Sequence, residues 1–139
     1  MADEELKLDE HIQIYKDNRI HIRDLSKILV PVDGFTLTGA LGLLYFILDS
    51  NNNNGTPINP WVIYLLLATS ILMTGSIVSS IQSVITKTQN PLLTKFQYLD
   101  ELIAIYKLEY EWADFSVVLL LFGIAAFIVA MGIFAWDYL

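Results

Sequence analysis

Two stretches of this chain carry no charged side chain: residues 61–86, a run of 26, and residues 115–136, a run of 22. A helix of about 20 apolar residues crosses the roughly 30 Å hydrocarbon core of a bilayer, so each run is long enough to span one. A third apolar segment lies nearer the start. Residues 35–48 are 14 residues without charge, too short alone. Extending back through Ile28, Leu29, Val30, Pro31 and Val32 reaches spanning length but takes in Asp33. Pro31 lacks a backbone donor and suits a helix start or a kink. The first span is therefore read as residues 31–49, with Asp33 near the interface, where its charge reaches water. A half-buried or re-entrant segment is the alternative.

Composition agrees with a membrane class. Hydrophobic residues make up 55% of the chain and the mean hydropathy is +0.52. At 139 residues there is room for one domain. The net charge of -7 argues against nucleic-acid binding, which needs a basic footprint, and against docking through a polybasic patch. Asp3, Glu4, Glu5, Asp9 and Glu10 concentrate acid at the start and read as a solvated tail. There is no cysteine, which removes disulfides and thiolate metal sites. The first 30 residues are polar and charged, so no cleavable signal peptide is expected, and the first span would act as an uncleaved anchor.

The expected fold is an all-α membrane protein with three transmembrane helices and a long cytoplasmic amphipathic helix continuous with the third span. Its parts are an acidic cytoplasmic segment (1–30), the first span (31–49), an Asn-rich outer loop (50–60), the second span (61–86), the amphipathic connector (87–113), the third span (114–136) and a short outer C-terminus (137–139). Asn51, Asn52, Asn53, Asn54, Gly55, Pro57 and Pro60 mark the outer loop as a break, and Asn90-Pro91 marks a second break. Every Lys and Arg precedes the first span or lies in residues 87–107. The positive-inside rule then puts the N-terminus and the connector in the cytoplasm, and the C-terminus outside a plasma or cytoplasmic membrane. Trp61, Tyr64, Trp112, Trp136 and Tyr138 stand at span ends, as an aromatic belt requires.

Residues 11–23 are ambiguous. Two alternating runs around Lys16-Asp17-Asn18 suggest a hairpin, whereas Leu8, Ile12, Tyr15, Ile22, Leu25 and Leu29 form a helical stripe. An isolated hairpin is marginal in water, so a helix from about Leu6 or from Arg19 is preferred.

Chemistry is scarce. No ionisable residue is expected in the interior of a span, where proton relays and ion-coupled carriers keep theirs. Asp33, Asp49, Asp114 and Asp137 are read as boundary residues. His11 and His21 are ten apart with no further ligand at metal spacing. The span-two serines have no histidine or lysine beside them to act as base. No catalytic residue, cofactor site or metal site is assigned. Asn54-Gly55-Thr56 matches the glycosylation pattern, but an Asn run supplies such a match easily.

What the spans do carry is small residues at helical spacing. Gly75, Ser79 and Ser83 repeat every four residues, as do Ser76 and Ser80; Gly123, Ala126 and Ala130 form a face on the third span. Such faces let helices approach closely and bond across the contact. In the connector, Leu92, Phe96, Leu99, Leu102, Ile103, Tyr106 and Tyr110 form an apolar stripe suited to docking a protein partner. The expected function is a non-catalytic accessory subunit of a larger integral membrane complex, for example of oxidase, monooxygenase or respiratory type, bracing neighbouring helices. Its partners would be other integral membrane subunits and the lipid bilayer. The alternative is a self-associating pore or membrane-disrupting effector, holin-like or defence-related, lined by the hydroxyls of the second span.

Overall fold

A computed structural model describes residues 2–54, 59–84 and 93–138. They form three helices: α1 (Ala2–Asn54), α2 (Pro60–Val84) and α3 (Lys95–Tyr138). Each contains a segment long and apolar enough to cross a membrane. At 1.5 Å per residue, α1 is about 80 Å long, α2 about 38 Å and α3 about 66 Å. α1 and α3 run parallel, and α2 returns between them. Beyond the end of α2, α1 and α3 continue together as a two-helix stalk.

Local chemistry starts two of the helices. Asn59 caps α2: its side-chain oxygen accepts from Trp61 N at 3.1 Å, its carbonyl accepts from Val62 N at 3.1 Å, and Pro60 fills the first helical position. Thr94 caps α3 as half of a capping box. Gln97 N donates to Thr94 Oγ1 at 3.4 Å, and Thr94 N donates to Gln97 Oε1 at 3.1 Å.

α1 is helical through residues 11–23, as preferred over a hairpin, and differs from expectation in three ways. It starts already at Ala2; it absorbs both the acidic segment and the first span; and it runs on through Asn51–Asn54, where a break is expected. Asn costs only about 0.7 kcal/mol per helical residue relative to Ala, and extending a formed helix needs no new nucleus. Pro31 lies inside the helix on an exposed face, and its missing N–H gives the Lys27 carbonyl no donor. The connector helix and the third span are one helix, α3. Residues 85–92, with Asn90-Pro91 and Leu92, and the Gly55-Thr56 part of the glycosylation motif lie outside the described residues.

The three helices share a seven-residue lattice. On α1 the positions are Ile12, Arg19, Ser26, Asp33, Ala40 and Ile47; on α2, Val62, Thr69, Ser76 and Ser83; on α3, Leu102, Glu109, Ser116, Gly123 and Ala130. Every one of them is buried. Intervening buried residues give α2 the sequence Val62, Leu66, Thr69, Met73, Ser76, Ser80, Ser83, alternating steps of four and three. This is the coiled-coil repeat, which keeps one seam of each helix facing its neighbours. The seam changes character along its length. In the stalk, Leu8, Ile12 and Leu102 pack with Tyr15, Tyr98 and Leu99. Midway, Leu29, Met73 and Leu120 form a cluster. At the far end Ala40, Ile47, Val62, Leu66 and Ala130 close it with an apolar plug.

Candidate functional site

Between the stalk cluster and the apolar plug, the lattice positions turn polar. The first polar layer is ionic. Arg19 Nε donates to Glu109 Oε2 at 2.7 Å and Arg19 Nη2 to Oε1 at 2.8 Å, a bidentate pair with side chains 9% and 3% exposed. The hydrogen bonds that Arg19 donates to Glu109 hold its guanidinium pKa above the ordinary value, against the opposing effect of burial. Tyr15 stacks edge-on against Tyr106 at 5.4 Å one turn away, and Lys16 sits 5.6 Å over the Tyr98 ring. The exposed Lys27–Asp24 contact at 2.8 Å holds the Asp24 carboxyl below the usual carboxylate range, and at that exposure it adds little stability.

The next two layers are hydroxyls and one acid. Ser26 Oγ lies 2.7 Å from Ser83 Oγ, and Ser83 Oγ donates to the Ser80 carbonyl at 2.7 Å. One layer on, Ser76, Ser80 and Ser116 gather around Asp33. Ser76 Oγ is 2.8 Å from Asp33 Oδ2, 2.9 Å from the Ser116 carbonyl and 3.0 Å from Ser116 Oγ. Ser116 Oγ is 3.0 Å from the Ser76 carbonyl and bonds Ser80 Oγ. Asp33 is fully buried, and its Oδ1 has no hydrogen-bond partner.

This corrects the reading of Asp33. Asp49, Asp114 and Asp137 are exposed, as boundary acids are, but Asp33 is not at a water-facing edge. Its place in the lattice, seven residues after Ser26 and seven before Ala40, turns it into the seam. Sequence reasoning also passes over Arg19, Ser26, Glu109 and Ser116. The period that finds them is seven, and it becomes visible only when polar residues are counted as seam positions.

The small-residue faces divide by role. Ser76, Ser80 and Ser83 bond across or along the seam, whereas Ser79 is buried but donates to its own helix at Gly75 O, 2.9 Å away. Thr69, Ser70 and Thr74 likewise bond the carbonyl one turn back. Gly75 and Ala126 are half-buried, and Gly123 and Ala130 are buried. A Cβ at Gly75 would stand 3.1 Å from Leu119 Cδ1, so α2 and α3 are close there. In the connector stripe, Leu99 packs on the α1 cluster and Tyr106 on Tyr15. Ile103 is half-buried, while Phe96 and Tyr110 are exposed. Part of that stripe is thus covered by the chain's own first helix. His11 and His21 are exposed on α1.

Comparison with protein families, with curated proteins and with solved structures finds no match.

Proposed function

We propose that this chain is a non-catalytic structural subunit of a larger integral membrane assembly, anchored by three spans and docking a protein partner on its stalk. One observation carries the reading. The stalk lies beyond the apolar segments, yet it exposes Leu6, Ile14, Ile20, Phe96 and Tyr110, with Phe96 70% exposed. Apolar side chains of that size, left uncovered outside a bilayer, mark a contact surface. The polar and small groups that would serve chemistry or transport are meanwhile taken up inside the chain's own seam. Lys7, Lys16, Arg19, Arg23, Lys27, Lys95 and Lys107 all come to the stalk end of the bundle, which favours a cytoplasmic stalk.

Extraction in mild detergent followed by native mass spectrometry tests this. The expected result is co-purification with different membrane chains at fixed stoichiometry, lost in a Phe96→Glu/Tyr110→Glu variant that keeps its helix content. Copies of this chain alone would overturn it. The pore reading is less favoured, because Ser76, Ser80 and Ser83 face the seam and would line a channel only if the bundle opened.

The absence of cysteine makes the orientation directly measurable. A thiol introduced at Asp137 is expected to react with an impermeant maleimide on intact cells. One at Gln13 is expected to react only after lysis; the reverse pattern would invert the topology.

A further inference from the structure

We infer that Asp33, with the hydroxyls of Ser76, Ser80 and Ser116, forms a buried proton-binding site that holds one proton on the Asp33 carboxyl group. The inference is independent of which partner the stalk binds.

Five oxygen–oxygen contacts join Asp33 Oδ2, the three serine hydroxyls and the carbonyls of Ser76 and Ser116, and the four for which Ser80 is not a partner run from 2.8 to 3.0 Å. Three hydroxyls supply only three protons. If Asp33 were ionised, Ser76 would donate to it, Ser116 to the Ser76 carbonyl and Ser80 to Ser116 Oγ. The close approaches of Ser76 Oγ to the Ser116 carbonyl, at 2.9 Å, and to Ser116 Oγ, at 3.0 Å, would then hold no proton, and an added proton can serve one of them. A proton on Asp33 changes this. Asp33 Oδ2 donates to Ser76 Oγ, and Ser76 is released to donate to the Ser116 carbonyl. One added proton converts a lone-pair contact into a hydrogen bond.

A buried carboxylate without a counter-charge is strongly disfavoured, and a proton removes that charge. Among the described residues, nothing facing Asp33 supplies that counter-charge. α2 has no Lys, Arg, His, Asp or Glu over its whole length. On α3 the neighbouring seam residues are Ser116 and the apolar Val117 and Leu120. On α1, Lys27 is engaged by Asp24, and two lattice steps away Arg19 is engaged by Glu109. The bare Oδ1 is the oxygen a neutral carboxyl can leave unbonded at least cost.

Geometry separates the proton from a calcium-sized ion. Oxygens held about 2.3 Å from such a cation in an octahedral shell stand about 3.3 Å or more apart. Ser76 Oγ lies only 2.8 Å from Asp33 Oδ2 and 3.0 Å from Ser116 Oγ, which is hydrogen-bond spacing. The site is also one-sided. Toward the stalk the seam continues through Ser83, Ser26, Glu109 and Arg19; the other way it is closed by Ala40, Leu66 and Val62.

Infrared spectroscopy of the full chain in lipid bilayers tests the site. At neutral pH the expected spectrum contains a protonated carboxyl C=O stretch that shifts in heavy water. It is lost in Asp33→Asn and kept in Asp49→Asn. Should Asp33→Asn fail to fold, Ser76→Ala is expected to move the same band by removing its hydrogen-bond partner. No such band in the native chain, or a band that survives Asp33→Asn, would overturn the proposal. So would an ionised Asp33 together with a melting temperature that rises with sodium and not with choline, which would make the ligand a metal ion.

Discussion

Replacing Glu109 with Leu is expected to release the stalk. The change leaves the Arg19 guanidinium in a buried layer with no acceptor for the two short bonds it now makes. Removing one partner of a buried pair costs about 3–5 kcal/mol, and in a two-helix stalk, where an Arg stem can swing its head to water, the low end applies. That is enough to open the segment locally while the apolar half of the bundle stays intact. Hydrogen–deuterium exchange resolves this. Protection is expected to fall in residues 4–25 of α1 and in the first four turns of α3, and to remain beyond Ala40. The double variant Arg19→Leu/Glu109→Leu is expected to regain most of it, because the layer one step toward the N-terminus is Ile12 against Leu102, already apolar. Unchanged protection in Glu109→Leu would mean that the pair is not buried in the membrane-bound protein. The effect does not depend on pH in the working range. The folded Arg19 lies above its ordinary value, so its contribution is complete below that ordinary value and is lost only as pH climbs through the still higher folded one.

The length and number of the apolar segments were legible because charge-free runs answer to a single physical demand, burial in hydrocarbon. The continuity of the connector with the third span was legible too, since no Gly or Pro lies between residues 93 and 122. Boundaries were harder. Asn51–Asn54 and Pro31 carry local signals against helix, and each is outweighed by a helix already propagating past it. The seam was hardest. A search for apolar periodicity selects Leu25, which is 40% exposed, and passes over its neighbour Ser26, which is 2% exposed. Arg19, Ser26 and Asp33 occupy positions that a soluble coiled coil fills with Leu or Ile, so hydrophobicity alone conceals the repeat. They are tolerated because each meets a partner on another helix in the same layer: Glu109, Ser83 and Ser76 respectively. Reading such a pairing needs the register between helices, which no single segment contains.

The second large effect is expected at Gly123, where α3 lies close against α2. A Cβ there would overlap Met73 Cε and stand 3.4 Å from Leu72 Cβ and from Met73 Sδ. Met73 is fully buried against Leu29 and Leu120, so it has little room to retreat. Its thioether chain is flexible, and Gly123→Ala is therefore expected to cost only about 1 kcal/mol, the low end for an overpacked site. Gly123→Ile is different. A β-branched side chain has restricted rotamers in a helix and cannot turn away from α2. Its cost is expected to reach or exceed about 3 kcal/mol, the upper end for overpacking. The helices would have to part, carrying Ser76 and Ser116 out of contact one lattice step away. Gly132 and Gly42 provide the control. A Cβ at either position meets nothing within 4 Å, so Gly132→Ala and Gly42→Ala are expected to melt at or above the native temperature. Thermal unfolding in lipid nanodiscs measures the order. Adding Met73→Ala to Gly123→Ile should recover part of the loss, a coupling that only direct contact produces. If Gly123→Ile melts with Gly132→Ala, α2 and α3 do not pack in this register, and the hydroxyl layers built on that register go with it.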